Sequence, residues 1–368
     1  MQESIDLERI KSWVGLYFPF YDVRADREGI TFFCRVDKSR LEENFESLRV
    51  LLSSHGFIPI IREESGETMI HVIRKIKRKA LPIYVNLILL VATLITTILT
   101  GALLVGGQSS IWEKGGLKAI TDPNNLIEGF FLFSLPLLTI LGVHEMAHYY
   151  ASKFHNIKAS LPFFIPVPPI MPGLNIGTFG ALISSREPLS NRKILFDVGI
   201  SGPLAGFLVA IPITMIGIAQ SSVIPIESLG KEGYALGESL LFYILCKLIL
   251  NIPLHHAIRL SPTAFAGWVG LLVTAINLFP VGQLDGGHIA RAVLGEKQKY
   301  IGWASVLALI FTGWWFFALF VLLILGIYHP PPLNDISPID NKRKLLFLLA
   351  IFILILCFVP FPVYPIST

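Results

Sequence analysis

Long apolar runs separated by short polar segments dominate the chain after residue 80. A membrane-spanning helix needs about 20 consecutive apolar residues. Runs of this length are predicted to cross a membrane at Leu81–Gly106, Leu126–Phe154, Ile194–Ala219, Thr263–Leu284, Trp303–Tyr328 and Leu345–Phe361. A shorter run, Glu238–Leu250, contains a lysine and only about a dozen apolar positions, which favours a re-entrant or interfacial helix.

The first 79 residues have a different pattern, with short apolar segments between charged ones. "LEENFESLRVLL" places Leu41, Phe45, Leu48 and Leu52 on one face of a helix. The segments "ITFFCRV", "FIPIIR" and "TMIHVI" around it are typical of strands. Together with a helix near the start, the predicted order is α-β-β-α-β-β. We therefore expect a small α+β domain over residues 1–79 and a membrane domain over residues 80–368.

Basic residues at the ends of the apolar runs predict the orientation of the chain. The cluster "RKIKRK" before the first run places the N-terminal domain in the cytosol. Lysines and arginines after the second run and after the fourth run then fall on the same side. "NKRK" at Asn341–Lys344 falls on the opposite side and disagrees with this arrangement.

Composition supports a membrane protein, since 53% of the 368 residues are hydrophobic and 15% are charged. Soluble domains carry about 25% charged residues. The formal net charge of +4 is small. The first 30 residues lack the order of a signal peptide, so no cleaved leader is expected. Cys34, Cys246 and Cys357 lie far apart, which argues against disulfides and thiolate metal clusters.

A proline-rich segment, Leu161–Ser185, lies between the second and third apolar runs. Its prolines exclude a continuous helix. The stretch "GTFGALI" inside it has residues compatible with a strand. Non-helical backbone at membrane depth is tolerated only where protein or a water-filled cavity satisfies it. We therefore expect a β-rich, membrane-associated loop packed beside a polar site.

The second apolar run contains "HEMAH", which comprises His144, Glu145 and His148. Histidines four residues apart share one face of a helix and can bind the same zinc ion. The glutamate beside them can reach a water at that ion, as in the HExxH motif of zinc hydrolases. Ionisable residues inside a membrane are costly and usually functional. The motif therefore predicts a zinc site.

A catalytic zinc usually has a third protein ligand and an open position. Asp285, in "NLFPVGQLDGG", is the best candidate near membrane depth. It reaches the depth of His148 only if Glu238–Leu250 does not cross the membrane. An Asp-Gly turn that ends a helix is the alternative interpretation of Asp285.

These motifs together resemble the site-2 protease family of intramembrane zinc metalloproteases. "HEMAH", "GTFGALIS", "SGPLAG" and "NLFPVGQLDGG" occur in the family's order, and the resemblance covers roughly residues 126–302. It is closest to the plant-plastid and archaeal branch, which lacks an inserted PDZ domain. From the residues alone, "SGPLAG" is interpreted as small residues for close helix packing.

The resemblance implies one Zn²⁺ per chain, bound by His144, His148 and Asp285, with Glu145 as general base. It implies a role for Asn277 in holding substrate or the oxyanion. Pro280 is expected to unwind the helix before Asp285. The residues expected to offer an edge strand to an extended substrate are Gly177, Thr178, Phe179 and Gly180.

The expected activity is cleavage of single-span membrane proteins within the lipid bilayer. A divalent-metal transporter and a catalytically inactive membrane receptor are alternatives that use the same polar cluster. No inverted repeat of the transporter kind is visible. Five further histidines, all after residue 150, are expected in loops or at span ends: His155, His255, His256, His288 and His329.

The expected location is a prokaryotic plasma membrane, with the N-terminus and the mouth of the site in the cytosol, and an organelle membrane is the alternative. Self-association through the membrane or the N-terminal domain is left open. No nucleic-acid partner is expected.

Overall fold

The computed structural model describes residues 2–27, 29–75, 81–108, 110–170, 176–184, 187–228 and 234–365. Most of the basic cluster predicted at 74–79, and Pro172 of the proline-rich segment, lie outside these ranges. The boundary drawn between residues 79 and 80 lies outside them as well.

The N-terminal domain is a four-stranded antiparallel sheet with two helices. The elements are α1 (Gln2–Gly15), β1 (Phe20–Ala25), β2 (Ile30–Cys34), α2 (Leu41–Ser54), β3 (Phe57–Glu64) and β4 (Glu67–Arg74). They follow the predicted α-β-β-α-β-β order. The strands lie side by side in the order β1-β2-β4-β3, so β3 is at an edge. The predicted face of α2, which includes Leu48 and Leu52, is fully buried against the sheet.

Three helices among the described residues are long and apolar enough to cross a membrane. They are α3 (Ile83–Val105), the continuous helical run Pro123–Phe154, and α7 (Arg192–Ala219). The second run consists of α5 (Pro123–Gly129), a π-helical stretch (Phe130–Ser134) and α6 (Leu135–Phe154), and α4 (Gly116–Thr121) precedes it. Less than half of each span is buried within the chain. Their exposed apolar surfaces fit a lipid environment, so this is a membrane protein.

The proline-rich segment forms a hairpin of β5 (Phe163–Pro166) and β6 (Thr178–Leu182), as the β-rich interpretation predicts. After α7 come β7 (Ser222–Pro225), β8 (Tyr234–Leu236), α8 (Leu240–Ile249) and β9 (His256–Arg259), with β7 paired to β9. The ten-residue α8 is only about 15 Å long at 1.5 Å per residue. It is too short to span a hydrocarbon core of about 30 Å. This length agrees with the prediction of a helix that does not cross.

The C-terminal part begins with α9 (Pro262–Leu278) and α10 (Asp285–Leu294), followed by a 3₁₀ turn (Gly295–Lys297). Then come α11 (Gln298–Phe311), α12 (Trp315–Phe320) with a π-helical stretch (Val321–Leu325), α13 (Asn341–Cys357) and β10 (Val363–Pro365). β10 pairs with β8. A central apolar core lies where α6, α7 and α9 meet, around Phe196 and Trp268.

The single span predicted at Trp303–Tyr328 is wrong, because the helix breaks after Phe311. Gly313 takes a backbone φ of +75°, which favours glycine and reverses the chain. The two arms then return to the same level, since Gln298 Nε2 donates to the carbonyl oxygen of Ile327 at 3.0 Å. Residues 298–327 are therefore a helical hairpin.

Because residues 298–327 form a hairpin rather than a single span, "NKRK" at Asn341–Lys344 no longer falls on the side opposite to the other basic residues. Arg343, at the start of α13, donates from Nε to the carboxylate of Asp197 near the start of α7, at 2.7 Å. His155, just after α6, contacts the same carboxylate at 3.0 Å. Lys193 of α7 pairs with Glu42 of the N-terminal domain at 2.7 Å. We call this end of the bundle the inner end, and the basic start of α13 lies there, on the side of the N-terminal domain.

Candidate metal centre

Two helical regions bring three metal-binding side chains together. His144 and His148 lie one turn apart on α6, and both are buried. Asp285 is the first residue of α10, and its side chain is 18% exposed. The structure thus joins the three ligands that the sequence motifs indicate, although 137 residues separate His148 from Asp285.

The spacing of the donor atoms fits zinc. The Nε2 atoms of His144 and His148 are 3.2 Å apart, and each lies 3.3 Å from Oδ2 of Asp285. Tetrahedral zinc with bonds of about 2.0–2.2 Å separates its ligand atoms by about 3.3–3.6 Å. Three donors at this spacing also leave one coordination position open, as catalytic zinc sites require. Among the described residues, this is the group of three or more such side chains that could hold a metal ion.

Asp285 reaches the histidines because the helix before it breaks. α9 ends at Leu278, and α10 begins at Asp285. Pro280 lies in this junction, as predicted, and Gln298 Nε2 donates to its carbonyl oxygen at 3.0 Å. Gly286 allows α10 to pack against the carbonyl oxygens of Leu278 and Phe279, where a Cβ atom would overlap them. The junction is therefore a tightly packed break that presents the carboxylate to α6.

The orientation of His148 is set by the backbone of α7. Its Nδ1 lies 2.7 Å from the carbonyl oxygen of Val198, which can only accept a hydrogen bond. Nδ1 therefore carries the proton, and Nε2 is free to bind a metal. Ser201 Oγ donates to the same carbonyl oxygen at 2.9 Å. The sequence motifs do not point to Val198, because a backbone carbonyl has no residue-specific signal.

The "SGPLAG" segment of α7 packs directly against the two histidines. A Cβ atom at Gly202 would overlap Nε2 of His148, the atom that faces the other donors. A Cβ atom at Gly206 would press on the ring of His144 at 3.1 Å. The small residues do serve helix packing, as predicted, but what packs against them is the metal centre itself.

Two further polar side chains lie at the centre. Glu145, next to His144 on α6, is 8% exposed. The side chain of Asn277, in the last turn of α9, has its Nδ2 atom 3.3 Å from Nε2 of His144. Asn277 therefore faces the metal-binding side of the histidine.

The other histidines have different partners. His155 contacts Asp197, and the rings of His288 and His329 lie against each other at a tilt of 57°, with centroids 4.3 Å apart. His255 directly precedes β9, and His256 is the first residue of this strand. This agrees with their expected positions in loops and at helix ends.

The predicted substrate strand is β6, which starts at Thr178. Its hairpin with β5 packs against α3 and α6, and Thr96 of α3 donates to the carbonyl oxygen of Gly177 at 2.7 Å. Phe179 is 80% exposed, and Gly180 follows it in the strand. Within the described ranges, β6 pairs with β5 on one edge and with no strand on the other.

The model of peptidase family M50 matches residues 132–321, just over half of the chain. The chain belongs to this family. The match spans both ligand-bearing regions, so the predicted site-2 protease relationship is confirmed.

Plant proteins are among the most similar relatives of this family member. "Probable zinc metalloprotease EGY1, chloroplastic" from Oryza sativa subsp. japonica is 29% identical over 65% of this chain and 44% of its own length. "Probable zinc metalloprotease EGY2, chloroplastic" is 33% identical over 68% of this chain in Oryza sativa subsp. indica and in Arabidopsis thaliana. The chain thus spans about half the length of these relatives.

Zinc is the metal named for these relatives, and it is the metal that the donor set of this chain fits. The prediction of zinc as cofactor is therefore confirmed. The relatives are named as chloroplastic, so they give no support to the predicted prokaryotic plasma membrane.

Proposed function

We propose that this chain is an intramembrane zinc endopeptidase that cuts peptide bonds in or near transmembrane segments of other membrane proteins. The observation that carries the proposal is the tetrahedral spacing of His144, His148 and Asp285, with Glu145 beside them on an apolar helix. A site that only stores or passes a metal has no need of that glutamate.

The chemistry follows from the positions of the side chains. Zinc bound by the three donors would lower the pKa of a water towards about 7 and polarise the substrate carbonyl. Glu145 accepts a proton from that water as the water oxygen attacks the peptide carbon. Glu145 then donates the proton to the leaving amine nitrogen as the C–N bond breaks. Glu145 is buried, and its carboxylate lies near enough to His148 and Asp285 to interact electrostatically with both.

Asn277 is proposed to hold the substrate carbonyl. Its side-chain amide lies 3.3 Å from Nε2 of His144, on the side that faces the other donors. An amide N–H there can donate to the oxygen that becomes negative during attack. Replacing one such donor typically lowers kcat by about 10²–10³-fold. Asn277→Ala is therefore expected to lower kcat while its zinc content stays near that of the wild type.

The substrate is proposed to bind as an extended strand along β6. A transmembrane helix has its carbonyl groups in hydrogen bonds, so it must unwind before hydrolysis. The unpaired edge of β6 could satisfy the freed groups by β-augmentation. Proline at Phe179 or Ala181 removes a backbone N–H and is expected to slow cleavage. Unchanged cleavage and substrate binding in both variants would exclude this mode.

We also propose how the domain lies in the membrane. In addition to the three long helices, α9, the α11–α12 hairpin and α13 contribute to the membrane domain, and α8 stays at the outer surface. The inner end faces the cytosol, with the N-terminal domain over it. Water would then enter from the cytosolic side.

The test compares purified wild type with Glu145→Gln against a panel of single-span membrane proteins, with zinc measured in both. The proposal predicts that both bind about one zinc per chain and that only the wild type cuts. A panel of this kind should include plastid proteins. Zinc flux into vesicles by both variants, with no cleavage by either, would favour the transporter. Zinc binding without flux or cleavage would favour the inactive receptor.

A further inference from the structure

The segment His329–Ser337 connects the helical hairpin to α13 at the inner end, and we call it the connecting loop. Leu333 in this loop is 6% exposed and belongs to the apolar core of the N-terminal domain. Ile336 packs against the same core. The N-terminal domain thus closes its core with side chains from a loop about 270 residues further along the chain.

The backbone of the connecting loop joins two parts of the protein. On one side, Ile61 of the edge strand β3 donates its N–H to the carbonyl oxygen of Leu333 at 2.9 Å. On the other side, the N–H groups of Leu333 and Asn334 donate to the carbonyl oxygens of Leu189 and Ser190, at 2.9 and 2.8 Å. Leu189 and Ser190 lie directly before α7. The loop is therefore a strand-like bridge between the N-terminal domain and α7.

Asn334 fixes the shape of this bridge. It is 1% exposed, and its Oδ1 accepts hydrogen bonds from the N–H groups of Ile336 and Ser337, both at 3.1 Å. Asp335, which lies between Asn334 and Ile336, is thereby held with its carboxylate towards α10. There it forms an ion pair with Arg291, which is 1% exposed. Arg62 and Arg192 add positive charge near the same carboxylate.

Arg291 lies six residues after Asp285 on the short helix α10. Arg192 of α7 holds the end of this helix, since it donates to the carbonyl oxygens of Ala292 and Val293 at 2.6 and 2.9 Å. The Arg291–Asp335 pair holds the last turn of the same helix. Because α10 is a rigid helix of ten residues, holding its last turn also sets the direction in which its first residue, Asp285, is presented.

We propose that Arg291 and Asp335 are positioning residues for the metal ligand Asp285, and that the docked N-terminal domain holds them in place through Leu333. Tight zinc binding in the membrane then depends on a domain that contributes no ligand. This inference rests on the metal centre of the proposed function, and the test separates the two.

The test measures zinc affinity of the full-length chain in detergent by competition with a chromophoric chelator, together with the visible spectrum of the cobalt-substituted protein. Asp335→Asn keeps the shape of the side chain but leaves a buried guanidinium without its counter-charge. Changes to residues that orient metal ligands typically weaken binding by about 10–100-fold. We expect at least about a tenfold loss of zinc affinity and an altered cobalt spectrum, with partial recovery in Asp335→Glu.

Leu333→Ala is the second variant, because it keeps the ion pair and loosens only the docking. It is expected to weaken zinc binding by about threefold. Lys193→Gln is the matched control, since it removes an exposed pair across the same contact between the domains and should leave zinc affinity unchanged.

Zinc affinity and cobalt spectra like those of the wild type in folded Asp335→Asn and Leu333→Ala would overturn the inference. If Asp335→Asn does not fold, the zinc affinity of Leu333→Ala alone decides between the two results. If the wild type itself binds no zinc, the proposed function fails first.

Discussion

Two regions supply the three side chains that are positioned to bind a metal, and they do so in different ways. α6 holds His144 and His148 on one continuous helix, where the four-residue spacing alone brings their rings together. The α9–α10 junction delivers Asp285 through a break in a helix, held by contacts from Gln298 and Arg291. The first arrangement is local, whereas the second depends on residues far away in the sequence. Changes near α6 should therefore act on the metal directly, and changes near the junction should act through the fold.

The largest effect is expected from Gly202→Ala, which acts on the α6 side. The added methyl group would occupy the place of His148 Nε2 and push the ring out of the site. We expect zinc affinity to fall by about 100-fold or more, with a smaller loss of stability. Zinc analysis after dialysis and thermal unfolding measure the two effects.

Gly142→Ala on α6 is the control for that variant, because nothing lies within 4 Å of its added methyl group. It should bind zinc normally and be slightly more stable, since alanine favours a helix over glycine. Normal zinc affinity in Gly202→Ala would contradict the described packing of α7 against His148.

Gly286→Ala probes the junction in the same manner. Its methyl group would overlap backbone oxygens of Leu278 and Phe279, which cannot move as a side chain can. We expect a loss of about 1–3 kcal/mol in the free energy of unfolding, and weaker zinc binding as a consequence. If zinc affinity fell while stability stayed constant, the junction would be acting locally, and the contrast between the two regions would be lost.

Gln298→Leu is expected to destabilise the same junction by a similar amount, with only a small loss of zinc affinity. Gln298 is fully buried and donates to the carbonyl oxygens of Pro280 and Ile327. The variant leaves both oxygens without this donor, at a cost of about 1–3 kcal/mol in stability and a fewfold loss of zinc affinity. Gln283→Leu, at an exposed position of the junction, should change neither quantity. Equal behaviour of the two variants would show that the buried amide does not support Asp285.

The smallest effect concerns the contact between the N-terminal domain and the segment before α7. Lys75 pairs with Glu187 at 2.8 Å and lowers the pKa of that carboxyl, with Lys158 and Arg49 acting in the same direction. A carboxylate with a lowered pKa adds stability above its unfolded pKa of about 4.3. That stability is lost as the pH falls through the lower pKa that Glu187 has in the folded protein.

Lys75→Met should therefore destabilise the protein at pH 7 by less than about 1 kcal/mol, and the difference should shrink below about pH 4. Unfolding curves of both proteins at several pH values measure this. A difference that is independent of pH would mean that Lys75 acts through packing rather than charge.

The sequence predicts the local part of this molecule well. The spacing of Leu41, Phe45, Leu48 and Leu52 predicts the buried face of α2, and "HEMAH" predicts the paired histidines of α6. In both cases the residues that matter lie within a few turns of one helix. Asp285 could be placed because it is a carboxylate near membrane depth at the end of an apolar run, in a motif that resembles the site-2 protease family.

The sequence fails where distant contacts decide the structure. The break at Gly313 has apolar residues on both sides, so the hydropathy along the chain shows no interruption there. The hairpin is therefore predicted as one span. That error also puts the basic start of α13 on the wrong side. No sequence motif marks the contacts by which Val198, Gln298 and Asp335 support the metal centre. These contacts use a backbone carbonyl or join partners that are far apart in the chain.

The most direct test of the account is X-ray absorption at the zinc edge of the purified wild type and Glu145→Gln. The account predicts the same spectrum for both, with nitrogen and oxygen ligands at about 2.0–2.2 Å, two imidazoles, and no sulfur. Asp285→Ala should lose zinc or show one fewer protein ligand. A spectrum with sulfur ligands, or one that is unchanged in Asp285→Ala, would contradict the assignment of His144, His148 and Asp285 as the metal centre.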